Sequence, residues 1–171
     1  MNKIDLVSSP EHPVLILERF NGIEIYPIEP AEWNLYKDKD SGMMNLWISL
    51  AAGRATEQQE DTVDLCAQPN WELNLVEPDL SEDSIEPGFI ATIPEAYDES
   101  RNGWITCFYY CSHEGTDRNT IELMEINGDR IRLRLAGATI DVNYYDGSKP
   151  ATKLSVDVWF DRNRDRGRSM S

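Results

Sequence analysis

The sequence has few of the residues on which enzyme chemistry usually depends. It contains only two histidines, His12 and His113. It has no Gly-x-Ser-x-Gly elbow, no His-Glu-x-x-His pair and no glycine-rich phosphate loop. With 31 acidic residues, a pair of carboxylates says nothing specific about acid–base catalysis. The sequence therefore predicts a non-catalytic protein without a cofactor.

Cysteine is also scarce, because only Cys66, Cys107 and Cys111 occur. An odd number this small excludes a disulfide framework and is typical of a reducing compartment, so we expect a cytoplasmic protein. Cys107 and Cys111 lie four residues apart in a predicted strand, roughly 13 Å at about 3.3 Å per residue. That separation is too long for a bridge or for two ligands of one zinc ion, even with His113 on the same face. The sequence predicts no metal site.

Long apolar runs are missing as well. No stretch of about 18 apolar residues occurs, so no membrane partner is expected. Asp5 interrupts the beginning of the sequence, which argues against an export signal. The net charge of −15 argues against nucleic acid as a partner, because phosphate binding depends on lysine and arginine.

Residues 55–100 contain no lysine and no arginine, but they hold 13 acidic residues. We call residues 55–100 the acidic block. A concentrated negative surface speeds association with a basic partner and selects against acidic ones. The residues that the sequence nominates for such an interface are Glu77, Asp79, Glu82, Asp83, Glu86 and Trp104.

What the sequence does contain is alternation of apolar and polar residues. In residues 130–135, Ile131, Leu133 and Leu135 alternate with arginines, which predicts a strand with one buried face. Similar patterns and turn residues predict an all-β fold, an antiparallel β-sandwich or barrel of about ten short strands with at most one or two short helices. The predicted strands are 14–20, 23–28, 43–51, 71–76, 89–93, 104–111, 120–126, 130–135, 138–145 and 153–160.

Two Asn-Gly pairs predict β-hairpins. A two-residue turn at Asn21-Gly22 would pair Arg19 with Glu24 across the strands. At the second hairpin, a three-residue loop over 127–129 keeps Leu123 opposite Leu133 on the buried face, whereas a two-residue turn would mix the faces.

The domain organisation is predicted as a loose lead-in at 1–13, a single β domain at 14–160 and an arginine-rich tail at 161–171. Residues 30–37 fit one helical turn that begins at Pro30, and Pro27 indicates an edge or the end of a strand. Residues 55–66 fit either a short acidic helix or a strand. The tail begins with oxygen side chains at alternate positions, but four interleaved arginines would repel a cation.

Five tryptophans are many for this length. Trp47, Trp71 and Trp159 lie within strand alternations and are predicted in the core, whereas Trp33 and Trp104 are predicted partly exposed. The resulting hypothesis is a protein-binding domain, of the inhibitor or immunity type, that holds a basic protein through the acidic block. The alternative is a β domain that binds a small ligand or a carbohydrate through its tryptophans. A third possibility is a structural subunit that associates through an exposed edge strand.

Overall fold

A computed structural model describes residues 8–167 of the chain. Within them lie twelve β-strands and one turn of 3-10 helix, Glu82–Ser84. No helix in this range has the length and apolar character needed to cross a membrane. The strands are β1 Val14–Arg19, β2 Gly22–Lys37, β3 Met44–Ala52, β4 Asn70–Glu77, β5 Ile90–Ile93, β6 Tyr97–Asp98, β7 Gly103–Trp104, β8 Thr106–Tyr109, β9 His113–Glu114, β10 Asp117–Asn127, β11 Arg130–Thr139 and β12 Thr152–Arg162.

Ten strands form one curled sheet in the order β5-β10-β11-β12-β1-β2-β3-β4-β8-β9, and β6 and β7 form a separate hairpin. The pairings are antiparallel except for a two-residue parallel contact between β12 and β2. β2 joins the two parts of the sheet, because it pairs with β1 along its first half and with β3 along its second. The prediction of an all-β antiparallel fold is confirmed.

The inner face of the sheet carries the core. Ile131, Leu133 and Leu135 on β11 are buried opposite Phe160, Val158 and Val156 on β12. Arg130 and Arg134 on the other face of β11 are exposed, so the predicted face assignment is confirmed. Arg132 is only partly exposed, because its guanidinium bonds the nearly buried carboxylate of Asp157.

The hairpin between β10 and β11 has the predicted facing pairs but not the predicted loop. Leu123 lies opposite Leu133, while Asn127 lies opposite Arg130, so only residues 128 and 129 form the turn. A β-bulge near residue 124 absorbs the extra residue. The buried face fixes the register in the body of the hairpin, and the bulge permits a tight turn at its end.

The hairpin between β1 and β2 turns one residue earlier than predicted. Arg19 lies opposite Gly22 and Leu17 lies opposite Glu24, so Phe20 and Asn21 form the turn. Gly22 has a φ of 147°, and a Cβ there would lie 2.6 Å from the Gln59 side chain. A side chain at the first position of β2 would therefore be strained, and glycine is preferred there.

Four further sequence predictions are wrong. Residues 30–37 form the second half of β2 and make no helical turn, and β2 continues through Pro27. Pro27 and Pro30 are tolerated because β2 changes its neighbouring strand here, with a register shift between Ile28 and Ala31. Residues 140–145 form a loop after β11, and residues 104–111 are divided between β7, β8 and a turn.

The segment 53–69 between β3 and β4 is a long connection without helix or strand, apart from one isolated bridge between Glu57 and Ile25. This segment contains residues 55–66, which the sequence predicted as either a short helix or a strand. Val63 and Leu65 point to solvent, so their alternation does not mark a buried strand. The loop is held by side chains that turn inward, as the buried network below shows.

Both ends of the described chain are attached to the sheet. In the predicted lead-in, the Ser8 hydroxyl is buried and accepts a hydrogen bond from the backbone N–H of Asp157. Residues 1–7 lie outside the described range. β12 extends to Arg162, two residues into the predicted tail, and the backbone N–H of Asn163 donates to the carbonyl of Trp33 at 2.8 Å. Residues 168–171 of the predicted tail also lie outside the described range.

Candidate functional site

Of the five nominated acids, Glu77 is the last residue of β4 and the other four lie on the connection between β4 and β5. Leu80 and Ile85 of this connection are buried, and their anchoring turns the intervening polar side chains outward. The 3-10 turn is closed by reciprocal hydrogen bonds between Ser81 and Ser84. All five acids are exposed; they are Glu77, Asp79, Glu82, Asp83 and Glu86. They form a continuous run of solvated negative charge.

Most of the acids of the acidic block have no cationic partner in the part of the chain that the structure describes. Within residues 8–167, the salt bridges of the acidic block involve four of its acids: Asp61, Glu72, Glu82 and Asp98. The three arginines of β11 pair instead with Asp161, Glu125, Glu122 and Asp157, none of which belongs to the block. Of the five nominated acids, only Glu82 has a cationic partner among the described residues, namely Arg162.

Trp104 lies on β7, and 67% of its surface is exposed. Its ring is held edge-to-face against Tyr97 of β6, with 5.4 Å between ring centroids. The other support is Gly115, where a Cβ would lie 2.4 Å from the Ala96 Cβ and 2.8 Å from the Trp104 ring. Only glycine allows the indole to lie this close to the backbone. The exposed ring is thus held in a defined position before any ligand arrives.

Trp104 borders grooves on both sides. One groove, of about 520 Å³, is lined by Tyr97 together with Glu95, Glu114 and Asp117. The other, of about 320 Å³, runs past Cys107 and His113. Among the described residues, no lysine or arginine lines either groove. Both grooves therefore combine an aromatic wall with negative charge.

A third groove, of about 530 Å³, continues this surface across β8 to β4. Its lining includes Glu72, Cys107, Tyr109 and His113. The centroids of the Tyr109 and His113 rings are 4.8 Å apart. We call the combined surface the acid–aromatic face. Its principal residues are Glu72, Glu95, Tyr97, Trp104, Tyr109 and Glu114. Trp104 was nominated from the sequence; Tyr97, Tyr109 and Glu114 were not, because only the β6–β9 hairpins bring them together.

A buried ionic network joins the β1–β2 hairpin to the 53–69 loop and to the loop after β11. Arg19 donates all five of its N–H groups to the carboxylates of Glu24, Asp61 and Asp141, at 2.9–3.1 Å. Arg19, Glu24 and Asp141 have fully buried side chains. Burial by itself would lower the pKa of Arg19, but the hydrogen bonds to the three carboxylates raise it overall. The arginine stays charged at every accessible pH.

The carboxylate of Glu24 is saturated with donors. Its oxygens accept from Arg19 and Thr62 on one side and from the hydroxyls of Tyr26 and Tyr110 on the other. Burial and the nearby carboxylate raise the pKa of Tyr26, which keeps its phenol protonated as a donor. The sequence predicted Arg19 and Glu24 as a cross-strand pair of opposite charge, and the structure buries both side chains. The signal for burial was available, since Arg19 continues the apolar parity of Leu15 and Leu17.

Asp61 and Thr62 also explain the long 53–69 loop, because their side chains tie it to Arg19 and Glu24. The network is therefore structural in its geometry, with its hydrogen-bonding groups directed at one another. It offers no exposed nucleophile.

The cysteines do not converge. Cys107 lines the groove beside His113, whereas Cys111 lies in the turn after β8, 3.9 Å from the carboxylate of Asp64. Burial raises the pKa of both thiols, and nearby carboxylates add to the effect. In residues 8–167, no group of three or more His, Cys, Asp or Glu side chains is arranged to hold a metal ion.

The tryptophans are distributed differently from the prediction. Trp71 is in the core as predicted, but Trp33 is buried as well, and its indole N–H donates to the carbonyl of Asp129 at 3.0 Å. Trp47 is buried on the outer face of β3, and Trp159 is half-buried. Of the two tryptophans predicted as partly exposed, only Trp104 meets solvent.

Comparison with protein-family models, curated proteins and solved structures finds no match to this chain.

Proposed function

We propose that the protein is a non-catalytic binding domain that engages a basic protein partner, in the manner of an inhibitor or immunity-type protein. The observation that carries the proposal is the position of Trp104, exposed at 67% and fixed by Tyr97 and Gly115 among carboxylates. Exposed, rigid aromatic side chains are typical energetic centres of protein interfaces. The carboxylates around it favour a cationic partner.

The two surfaces have separate roles in this proposal. The acid–aromatic face supplies direct contacts, because its grooves can hold side chains against Trp104 and Tyr109. The unpaired acids of the 77–86 connection supply long-range attraction, which raises the rate of encounter with a positively charged partner. A carbohydrate could also stack on Trp104 and bond the carboxylates of the same groove, and this is the alternative function.

Replacing Trp104 with alanine is expected to weaken binding of a hexa-arginine peptide roughly 10- to 30-fold, because a central aromatic contact contributes about 2 kcal/mol. Stability should change by no more than about 0.5 kcal/mol, since the ring is mostly exposed. The measurement is isothermal titration calorimetry, with thermal melting alongside. Ile90→Ala, at an equally exposed apolar residue of β5, is the matched control and should bind normally.

Cellohexaose in the same titration separates the two functions. Binding of the sugar that depends on Trp104, without binding of hexa-arginine, would favour the carbohydrate alternative. Equal losses for Trp104→Ala and Ile90→Ala would contradict a specific role of the tryptophan.

Neutralising Glu77, Asp79, Asp83 and Glu86 to the corresponding amides is expected to slow hexa-arginine association about tenfold at low salt. The melting temperature should rise or stay unchanged, because mutual repulsion is relieved. Glu82 is left in place, since it bonds Arg162. The rate is measured by stopped-flow tryptophan fluorescence at two salt concentrations.

The control for this variant is Glu11→Gln with Asp40→Asn, at two exposed acids outside the acidic block. It should slow association less per charge removed. A loss of more than about 1 kcal/mol of stability in the fourfold variant would show that these acids are structural. An association rate insensitive to salt would argue against electrostatic attraction by the 77–86 connection.

A further inference from the structure

The C-terminal segment 163–167 lies against the outer face of β2 and β3. The Asn34 amide donates to the carbonyl of Arg166 at 2.7 Å. Gly167 has a φ of +87°, and a Cβ there would lie 2.3 Å from the Tyr36 ring. The segment therefore follows a defined path that depends on glycine at position 167.

Two arginines of this region make the same kind of contact. Arg162 lies 4.8 Å over the Trp33 ring and pairs with Glu82, while Arg166 lies 4.8 Å over the Trp47 ring and pairs with Glu72. Each guanidinium thus combines an indole face with a carboxylate of the acidic block. A planar guanidinium suits both contacts at once, which an ammonium group does less well.

The two arginines differ in how firmly they are held. Arg162 belongs to β12, is 11% exposed, and bonds both Asn34 and Glu82. Arg166 lies beyond the last strand, is 46% exposed, and its bond to Glu72 is long at 3.4 Å. Exposed ion pairs of this kind contribute little. Arg162 is therefore held firmly within the sheet, whereas the Arg166 side chain is held more weakly.

The tryptophan ring under Arg166 carries a hydrogen-bond donor that is unpaired among the described residues. Trp47 is buried, yet its indole N–H has no hydrogen-bond partner within residues 8–167. A buried donor of this type is normally paired. A ligand that brings a carbonyl oxygen together with a guanidinium would provide what Arg166 alone does not. Peptide segments that contain arginine have both groups.

We infer that Arg166 occupies an arginine-binding site of this protein from within, and that an arginine-rich segment of the partner replaces it there. The inference rests on the proposed function and names the chemistry of the partner. The site is continuous with the acid–aromatic face, because Glu72 contacts Arg166 and also lines the groove beside Tyr109 and His113. The 163–167 segment competes with the partner and lowers its apparent affinity.

The test uses the full chain and a hexa-arginine peptide, followed by calorimetry and tryptophan fluorescence. Arg166→Ala removes the internal occupant, and Gly167→Ala displaces the segment from Tyr36 without changing the charge. Both variants should bind the peptide about tenfold more tightly, the gain expected if the segment fills nine-tenths of the sites. Hexalysine should gain less, because it lacks the planar guanidinium.

Arg164→Ala is the matched control, since it removes the same charge from the same segment, but Arg164 pairs with Asp129 whereas Arg166 pairs with Glu72. It should change peptide affinity less than twofold. Adding Glu72→Gln to Arg166→Ala should abolish the gain. Equal effects of Arg164→Ala and Arg166→Ala, or no gain with Arg166→Ala and Gly167→Ala, would overturn the inference.

The outcomes also separate this inference from the proposed function. If Trp104→Ala weakens hexa-arginine binding while Arg166→Ala and Gly167→Ala leave it unchanged, the proposed function stands and the internal occupant is refuted. If neither the wild-type chain nor any variant binds hexa-arginine, both are refuted.

Discussion

Replacing Arg19 with alanine is expected to lower the free energy of unfolding by about 3–5 kcal/mol, because removing one member of a buried ionic cluster leaves uncompensated charge. Arg19 is the only cation that contacts the carboxylates of Glu24 and Asp141 within the described residues, and both side chains are fully buried. The loss would also release Asp61, and with it the 53–69 loop. Urea denaturation followed by tryptophan fluorescence measures the change.

Two variants sharpen this prediction. Arg19→Lys retains the charge but cannot make five hydrogen bonds in fixed directions, so it should lie between the wild type and Arg19→Ala. Lys153→Ala breaks an exposed pair with Glu18 and should cost no more than about 0.5 kcal/mol. If Arg19→Ala were no more harmful than Lys153→Ala, the network would not be stabilising.

The same network gives stability a pH dependence. The Arg19 hydrogen bonds hold the pKa of Asp61 below its usual value. A carboxyl with a lowered pKa in the folded state stabilises the fold above its unfolded pKa of about 3.9. That contribution is lost as the pH falls through the lower folded value. In Arg19→Ala the bond is absent, so the stability difference from wild type should shrink as the medium is acidified below about pH 4.

Leu133→Ala is expected to cost about 2–5 kcal/mol, because it opens a cavity in the centre of the inner face. Leu133 is buried between Leu123 of β10 and Val158 of β12. Arg132→Ala on the opposite face should cost less, about 1–3 kcal/mol, since it deprives the nearly buried Asp157 of a partner. Denaturant titration of each variant gives the values.

Arg130→Ala completes the series as the exposed control. Its pair with Asp161 is largely solvated, so a change within about 0.5 kcal/mol is expected. The order Leu133, Arg132, Arg130 in decreasing cost follows from burial of each side chain and its partners. Similar costs at Leu133 and Arg130 would contradict the assignment of the two faces of β11.

Local patterns predicted the parts of the fold that depend on neighbouring residues. Alternation alone located β11 and its buried face, because side chains of a strand point to opposite sides. Turn residues located both hairpins to within one residue. The errors at Gly22 and near residue 124 arise from contacts outside the hairpin or from a bulge, neither of which the turn sequence contains.

The candidate site was harder to predict because its residues meet only through tertiary contacts. Trp104 is exposed as expected, but its fixed position depends on Gly115 and Tyr97. The arginines after residue 160 were predicted in a tail outside the β domain, whereas Arg162 and Arg166 cover Trp33 and Trp47. The composition of the segment showed its charge, but the acids that its arginines contact lie 80 and 94 residues away in the sequence.

The position of β1 in the sheet determines the order in which the chain can fold. β1 is hydrogen-bonded to β2 on one side and to β12, which begins at Thr152, on the other. During synthesis, the first hairpin must wait with an open edge and an uncovered apolar face until β12 leaves the ribosome. Contacts this distant in sequence are typical of slow folding and of exposure to aggregation. The acidic residues made in the interval keep the nascent chain strongly negative, which opposes association between incomplete chains.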